Sequence, residues 1–184
     1  AVLHRAGAPH DQIRANTKLV ISGGQNEPRD AIAGAVSALL KHPAQLAALR
    51  AGEVDWHRAF DEYVRWMAPI GMSPRRLAGT AIINGVEIGP EGRAFFMFGA
   101  ANRDPAHFLN PDSFDIRRDN RKQIAFGAGP HFCAGAFAAR ALVADVGLPM
   151  LFEHFPDLRL APGAEVAFHG WAFRGPLRVD VRWD

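Results

Sequence analysis

The sequence predicts a mainly α chain with small β-sheets, and three features carry that prediction. Between His10 and Lys41 the apolar residues Ile13, Leu19, Val20, Ile32, Ala35, Val36, Leu39 and Leu40 recur at roughly helical spacing. Asn84-Gly85 stands between Ala81-Ile82-Ile83 and Val86-Glu87-Ile88, a strong hairpin signal. From Asp104 to Gln123 the chain is rich in Pro, Asp and Asn and reads as one long loop. With 184 residues, 48% hydrophobic and 22% charged, the chain can build one sizeable core.

The first helix is expected from His10 to Lys41, opened near its middle at Ser22-Gly23-Gly24-Gln25-Asn26-Glu27-Pro28. Two glycines weaken it there, and Pro28 has no N–H to offer the Gly24 carbonyl. Such an opening leaves a free carbonyl and room for a small ligand or water; it also reads as a tolerated proline kink. Pro43 ends this helix and opens a short one to Arg50. A further helix near Trp56 to Met67 carries Glu62 and Arg65 three residues apart, on one face and within reach of a salt bridge. Exposed, that pair would contribute little.

From Arg75 to Phe98 the pattern is short strands and turns. The hairpin is followed by a turn at Gly89-Pro90-Glu91-Gly92 and a third, apolar strand from Ala94 to Phe98. Beyond the long loop, Ala136 to His154 reads as a helix that Gly147 and Pro149 should kink. Strands are expected near Glu165 to His169 and Leu177 to Val181. A net charge of +2 is too small to argue for a nucleic-acid partner. No apolar run approaches the roughly 18 residues of a membrane span, and no signal-peptide pattern opens the chain. The single cysteine excludes an internal disulfide and a multi-cysteine zinc site, and suits a reducing, cytoplasmic setting.

That cysteine lies in Phe126-Gly127-Ala128-Gly129-Pro130-His131-Phe132-Cys133-Ala134-Gly135, just before a helix. Small residues let backbone pass close to something bulky and flat, and glycine permits turns closed to other residues. A thiolate at a helix start is favoured by the positive end of the macrodipole, and free N–H groups there tune a metal bound to sulfur. A lone cysteine also reads as a buried, inert residue.

The stretch resembles the haem-binding loop of the cytochrome P450 family, Phe-x-x-Gly-x-(Arg/His)-x-Cys-x-Gly. Phe126, Gly129, His131, Cys133 and Gly135 fill every specified position. Other landmarks follow in order: the double glycine Gly23-Gly24, Glu62-x-x-Arg65, Arg76-Leu77-Ala78, Asn102-Arg103-Asp104-Pro105, and Phe114-Asp115-Ile116-Arg117-Arg118. The resemblance implies that residues 1–184 are the C-terminal, haem-binding portion of a single cytochrome P450 domain whose N-terminal half lies outside this sequence.

By that resemblance Cys133 is the axial thiolate of a haem b iron, a ligand that favours O–O cleavage. Phe126 shields the sulfur, with Gly127, Gly129 and Gly135 giving close approach. His131 and Arg76 reach the propionates, with Arg75 a competitor for the second. Glu62, Arg65 and Arg118 form a structural trio, and Ile70, Gly71, Met72, Trp171 and Phe173 line the substrate pocket. Gly24, Asn26 and Glu27 occupy the oxygen-binding break, where the family usually carries an acid followed by threonine. Here Asn26 falls at the acid and Glu27 at the threonine, so Glu27 is the candidate proton relay.

The implied reaction inserts one oxygen atom of O₂ into a small organic substrate, by hydroxylation or dealkylation. The electrons come from NAD(P)H through a ferredoxin- or flavin-type partner, for which Arg117, Arg118, Arg121, Lys122 and Arg140 would form a basic docking face. The alternatives are a peroxide-using haem-thiolate enzyme, which fits the missing threonine, and a haem-binding or truncated piece without turnover.

Overall fold

The computed structural model describes residues 2–184. A single helical turn, α1 (Val2–Arg5), precedes α2 (His10–Gly23). Helix α3 (Asn26–Lys41) then restarts the expected long helix after an interruption only at Gly24 and Gln25. The opening is therefore narrower than the sequence suggested. Pro28 sits in the first turn of α3, where a missing N–H costs no helical bond. Gly24 is required where it stands: its N–H donates to the Val20 carbonyl at 2.9 Å, and a Cβ would lie 2.7 Å from that oxygen.

Helix α4 (Pro43–Arg50) has proline at its start, as expected. Helix α5 (Trp56–Met67) is capped by Asp55, whose Oδ1 accepts the Arg58 N–H at 2.7 Å. It ends at Ala68, held at φ 47°. The core lies where α3 and α5 cross, with Ala35, Leu39, Phe60 and Val64 buried together. Their approach is close because residue 34 is glycine. A Cβ there would fall 1.7 Å from the Tyr63 hydroxyl.

Strand β1 (Ser73–Arg76) is followed by the hairpin β2 (Ala81–Ile83) and β3 (Val86–Ile88). Asn84 and Gly85 both have positive φ, 48° and 78°, as a type I′ turn demands. The third strand, β4 (Arg93–Phe96), is shorter than expected and pairs with β1 instead of extending the hairpin. Phe98 already belongs to the helical turn α6 (Phe98–Ala101). Residues 104–123 contain turns and no helix or strand.

After the cysteine loop, α7 (Ala136–Arg140) runs into a π-helical segment (Ala141–Gly147) and then α8 (Leu148–His154). The widened segment ends at Gly147, and Pro149 stands in the first turn of α8, where its missing N–H is tolerated. The tail strands are shorter than the expected ones. β5 (Arg159–Leu160) pairs with β8 (Val181–Arg182), and β6 (Phe168–His169) with β7 (Gly175–Pro176). Leu177 lies between strands and is exposed. The mainly α architecture with small two-stranded sheets is as predicted.

Candidate functional site

The cysteine loop is wound by its own backbone. The Cys133 N–H donates to the Phe126 carbonyl at 2.9 Å, closing the loop on itself, and Gly127 N–H donates to Ile124 at 2.9 Å. Gly127 and Gly129 take φ values of +72° and +64°, which side chains rarely tolerate. Gly129, Pro130 and His131 form one 3₁₀ turn. Cys133 is an exposed free thiol, not the inert buried residue that a lone cysteine often is. His131 is also exposed, whereas Phe126 is half-buried against the Phe60 ring, 6.1 Å away.

Helix α5 carries the centre of an ion cluster whose Glu62–Arg65 pair is fully buried. Arg65 Nε donates to Glu62 Oε2 at 2.7 Å and Arg65 Nη2 to Glu62 Oε1 at 2.8 Å, with both side chains at 0% exposure. Arg118 Nε reaches the same carboxylate at 3.2 Å. The two arginines also bond backbone carbonyls of the long loop: Arg65 those of Asn102, Pro111 and Ser113, and Arg118 those of Leu109, Asn110 and Ser113. An irregular segment with few ladder bonds is thereby satisfied. Buried Asn102 carries the order onward, since its Oδ1 accepts the Ile124 N–H at 2.8 Å, two residues before Phe126.

The pocket candidates meet, but not all face the same way. Gly71 N–H donates to the Ala172 carbonyl at 3.0 Å, and Ile70 bridges Phe173. A Cβ on Gly71 would fall 2.0 Å from the Trp171 carbonyl, so close backbone approach is what this glycine serves. Gly71 and Met72 are buried within the chain and offer no open surface. Trp171 and Phe173 are exposed, and Trp171 lies 6.3 Å from the Phe95 ring. Arg76 is exposed and paired with Glu91. Arg75, on the opposite face of β1, bonds Ser73 Oγ at 2.6 Å and lies over Phe96.

At the break between α2 and α3, Gly24 and Asn26 are exposed and Glu27 is half-buried. Glu27 Oε2 is buried without a hydrogen-bond partner. Burial holds its carboxyl above the usual 4.5; a backbone hydrogen bond opposes that rise and the Asp30 charge adds to it. Asp30 itself is buried, bonded by Arg29 at 2.8 Å, and packed so tightly on Gly175 that a Cβ there would clash.

The cytochrome P450 family model matches residues 57–162. The chain belongs to the cytochrome P450 family. Cytochrome P450 107B1 of Saccharopolyspora erythraea is 40% identical over 169 residues, covering 89% of this chain and 41% of that protein. Cytochrome P450 105C1 of a Streptomyces species is 38% identical over 168 residues, covering 90% and 44%. The solved structure of CYP154A1 from Streptomyces coelicolor superposes with a TM-score of 0.89 at 33% identity, over 97% of this chain and 46% of that one. This P450 chain therefore spans less than half the length of the relatives it matches.

The residues present fit the haem that P450 proteins carry. Among the described residues no group of three or more His, Cys, Asp or Glu side chains is placed to hold a metal ion. A lone exposed thiol instead suits a metal whose other ligands come from a macrocycle. A Cβ on Gly129 would meet nothing within 4 Å, one on Gly127 only the His131 carbonyl at 3.5 Å, and one on Gly135 would stand 3.8 Å from Cys133 Sγ, so these glycines keep the loop surface beside the sulfur low.

Asp30 and Asn102 were not singled out by the sequence as site residues. For Asp30 the helical spacing from Glu27 was a usable signal. Asn102 stands in the Asn102-Arg103-Asp104-Pro105 landmark, but its bonding role depends on Arg65 and Ile124 arriving from other segments.

Proposed function

We propose that this chain is the haem-binding portion of a haem-thiolate monooxygenase acting on a small organic substrate. The observation that carries the reading is the exposed Cys133 thiol on a glycine loop whose lead-in, at Ile124, is tied through Asn102 to the buried Glu62–Arg65 pair. When bound, the haem iron supplies dioxygen binding and activation. Cys133 Sγ would hold the iron, and the Phe126 ring would limit water beside it. His131 and Arg76 are the propionate donors; for Arg76 that means exchanging Glu91 for a propionate, a swap between two carboxylates. Trp171 and Phe173 present the aromatic side of the substrate pocket.

Glu27 is the proton carrier of the break. Its raised pKa keeps a proton on the carboxyl further toward neutrality than an ordinary glutamate, and its free Oε2 can pass that proton to water. Electrons come from NAD(P)H through a ferredoxin- or flavin-type protein, for which the cleft lined by Arg58, Arg118, Arg121 and Arg140, where Asp119 pairs with Arg121 and Asp61 with Arg140, keeps a net basic face. The unbridged thiol suits a reducing, cytoplasmic setting.

A peroxide-driven reaction is the second reading, favoured by a carboxylate at residue 27 in place of an alcohol. The test is a full-length form assayed for product per NAD(P)H consumed with an electron-transfer partner, and separately with peroxide alone. Glu27→Gln should lower product per NAD(P)H and raise released peroxide; coupling equal to the parent removes Glu27 from proton delivery. Turnover with peroxide only selects the second reading. A haem-loaded protein that oxidises nothing under either condition, across a substrate panel, leaves a haem-binding role.

A further inference from the structure

Two contacts of the Phe126 ring trace back to adjacent residues of α5, Phe60 and Asp61. Phe60 lies 6.1 Å from it, at 55° between planes, and the next residue, Asp61, holds Arg140. Arg140 Nη2 donates to Asp61 Oδ1 at 2.9 Å, and its guanidinium carbon stands 4.6 Å over the Phe126 ring. That is within the range in which a cation is attracted to an aromatic face. The ion pair is largely shielded, with 25% and 29% side-chain exposure, so its geometry is better fixed than that of a surface pair. Phe126 in turn accepts the Cys133 N–H. A continuous path thus runs from Asp61 through Arg140 and Phe126 to the residue bearing the thiol.

We propose that Arg140 is a positioning residue of the thiolate loop, pressing Phe126 against Phe60 and setting the electrostatic balance at the sulfur together with Asp61. The inference rests on the haem-thiolate reading of Cys133. The guanidinium brings a positive charge beside the loop and Asp61 a negative one, so the two bias the iron in opposite senses. A cation nearby favours the reduced, less positive metal; an anion favours the oxidised one. Stacking and charge are separable, because lysine keeps the charge and loses the planar face.

The experiment measures the ferric/ferrous potential and the reduced carbon-monoxide spectrum of the haem-loaded full-length form. Arg140→Gln should shift the potential negative, and Asp61→Asn should shift it positive. Arg140→Lys should stay closer to the parent in potential, while sharing with Arg140→Gln a loss of part of the red-shifted carbon-monoxide band. A purely structural ion pair predicts no such opposition of sign. Unchanged potentials, or shifts of the same sign in the two charge variants, overturn the proposal. If Arg140→Gln retains no haem, Asp61→Asn decides alone: a positive shift supports the proposal and any other result overturns it. A parent with haem but without the red-shifted band refutes the thiolate reading instead.

Discussion

Glu62 and Arg65 meet inside the protein as a bidentate pair, at 2.7 and 2.8 Å, with neither side chain touching solvent. Three residues apart on α5, they face one side of the helix, and the carboxylate also accepts Arg118 and the Asp115 N–H. One anion is thus shared by two guanidinium groups that hold the long loop by its carbonyls.

Removing either member leaves a charge buried without its partner. Glu62→Ala or Arg65→Ala should cost about 3–5 kcal/mol. Chemical unfolding of a full-length form and its haem content give the measurement. Variants as stable and as haem-replete as the parent would show that the loop is held by something else.

Gly34→Ala is expected to destabilise by about 1–3 kcal/mol, because overfilling a packed contact forces side chains and backbone apart. The added methyl would stand 1.7 Å from the Tyr63 hydroxyl, between α3 and α5. A thermal unfolding midpoint unchanged by the substitution would contradict this packing.

Glu27 should make stability fall as pH rises. Its native carboxyl holds a proton more tightly than the unfolded chain does, so above 4.5 the native state pays an increasing penalty until both forms are ionised. Glu27→Gln lacks that fall. The parent should therefore lose stability relative to the variant as pH rises above 4.5, and the difference should then level off. Denaturant titrations of both across that range read it; a parallel pH dependence would mean the carboxyl is not perturbed.

Much of this was legible in the sequence where the cause is local. Trp56–Met67 was readable as a helix that puts Glu62 and Arg65 on one face, and the Asn84-Gly85 turn because few residue pairs accept positive φ twice. The site motif was readable for the same reason: glycines, a thiol and a fixed spacing lie within one loop. Features set by distant partners were not. Ser73–Arg76 becomes a strand only because β4 lies beside it, and the third strand was lengthened in expectation because an apolar run does not show where pairing stops. The π-helical segment ends at Gly147, where a Cβ would crowd Ile32 and the Leu142 carbonyl, and no local sequence pattern announces that crowding. That Gly71 meets the Trp171 backbone was equally out of reach, because the two lie in distant segments.

The central claim is that Cys133 is the ligand of a haem iron, and the reduced carbon-monoxide spectrum of a full-length form tests it most directly. Thiolate donation opposite carbon monoxide should give the red-shifted band for which the family is named. Cys133→His should abolish that band, with haem content measured separately. The same band in the variant, or its absence from a haem-loaded parent, would contradict the account.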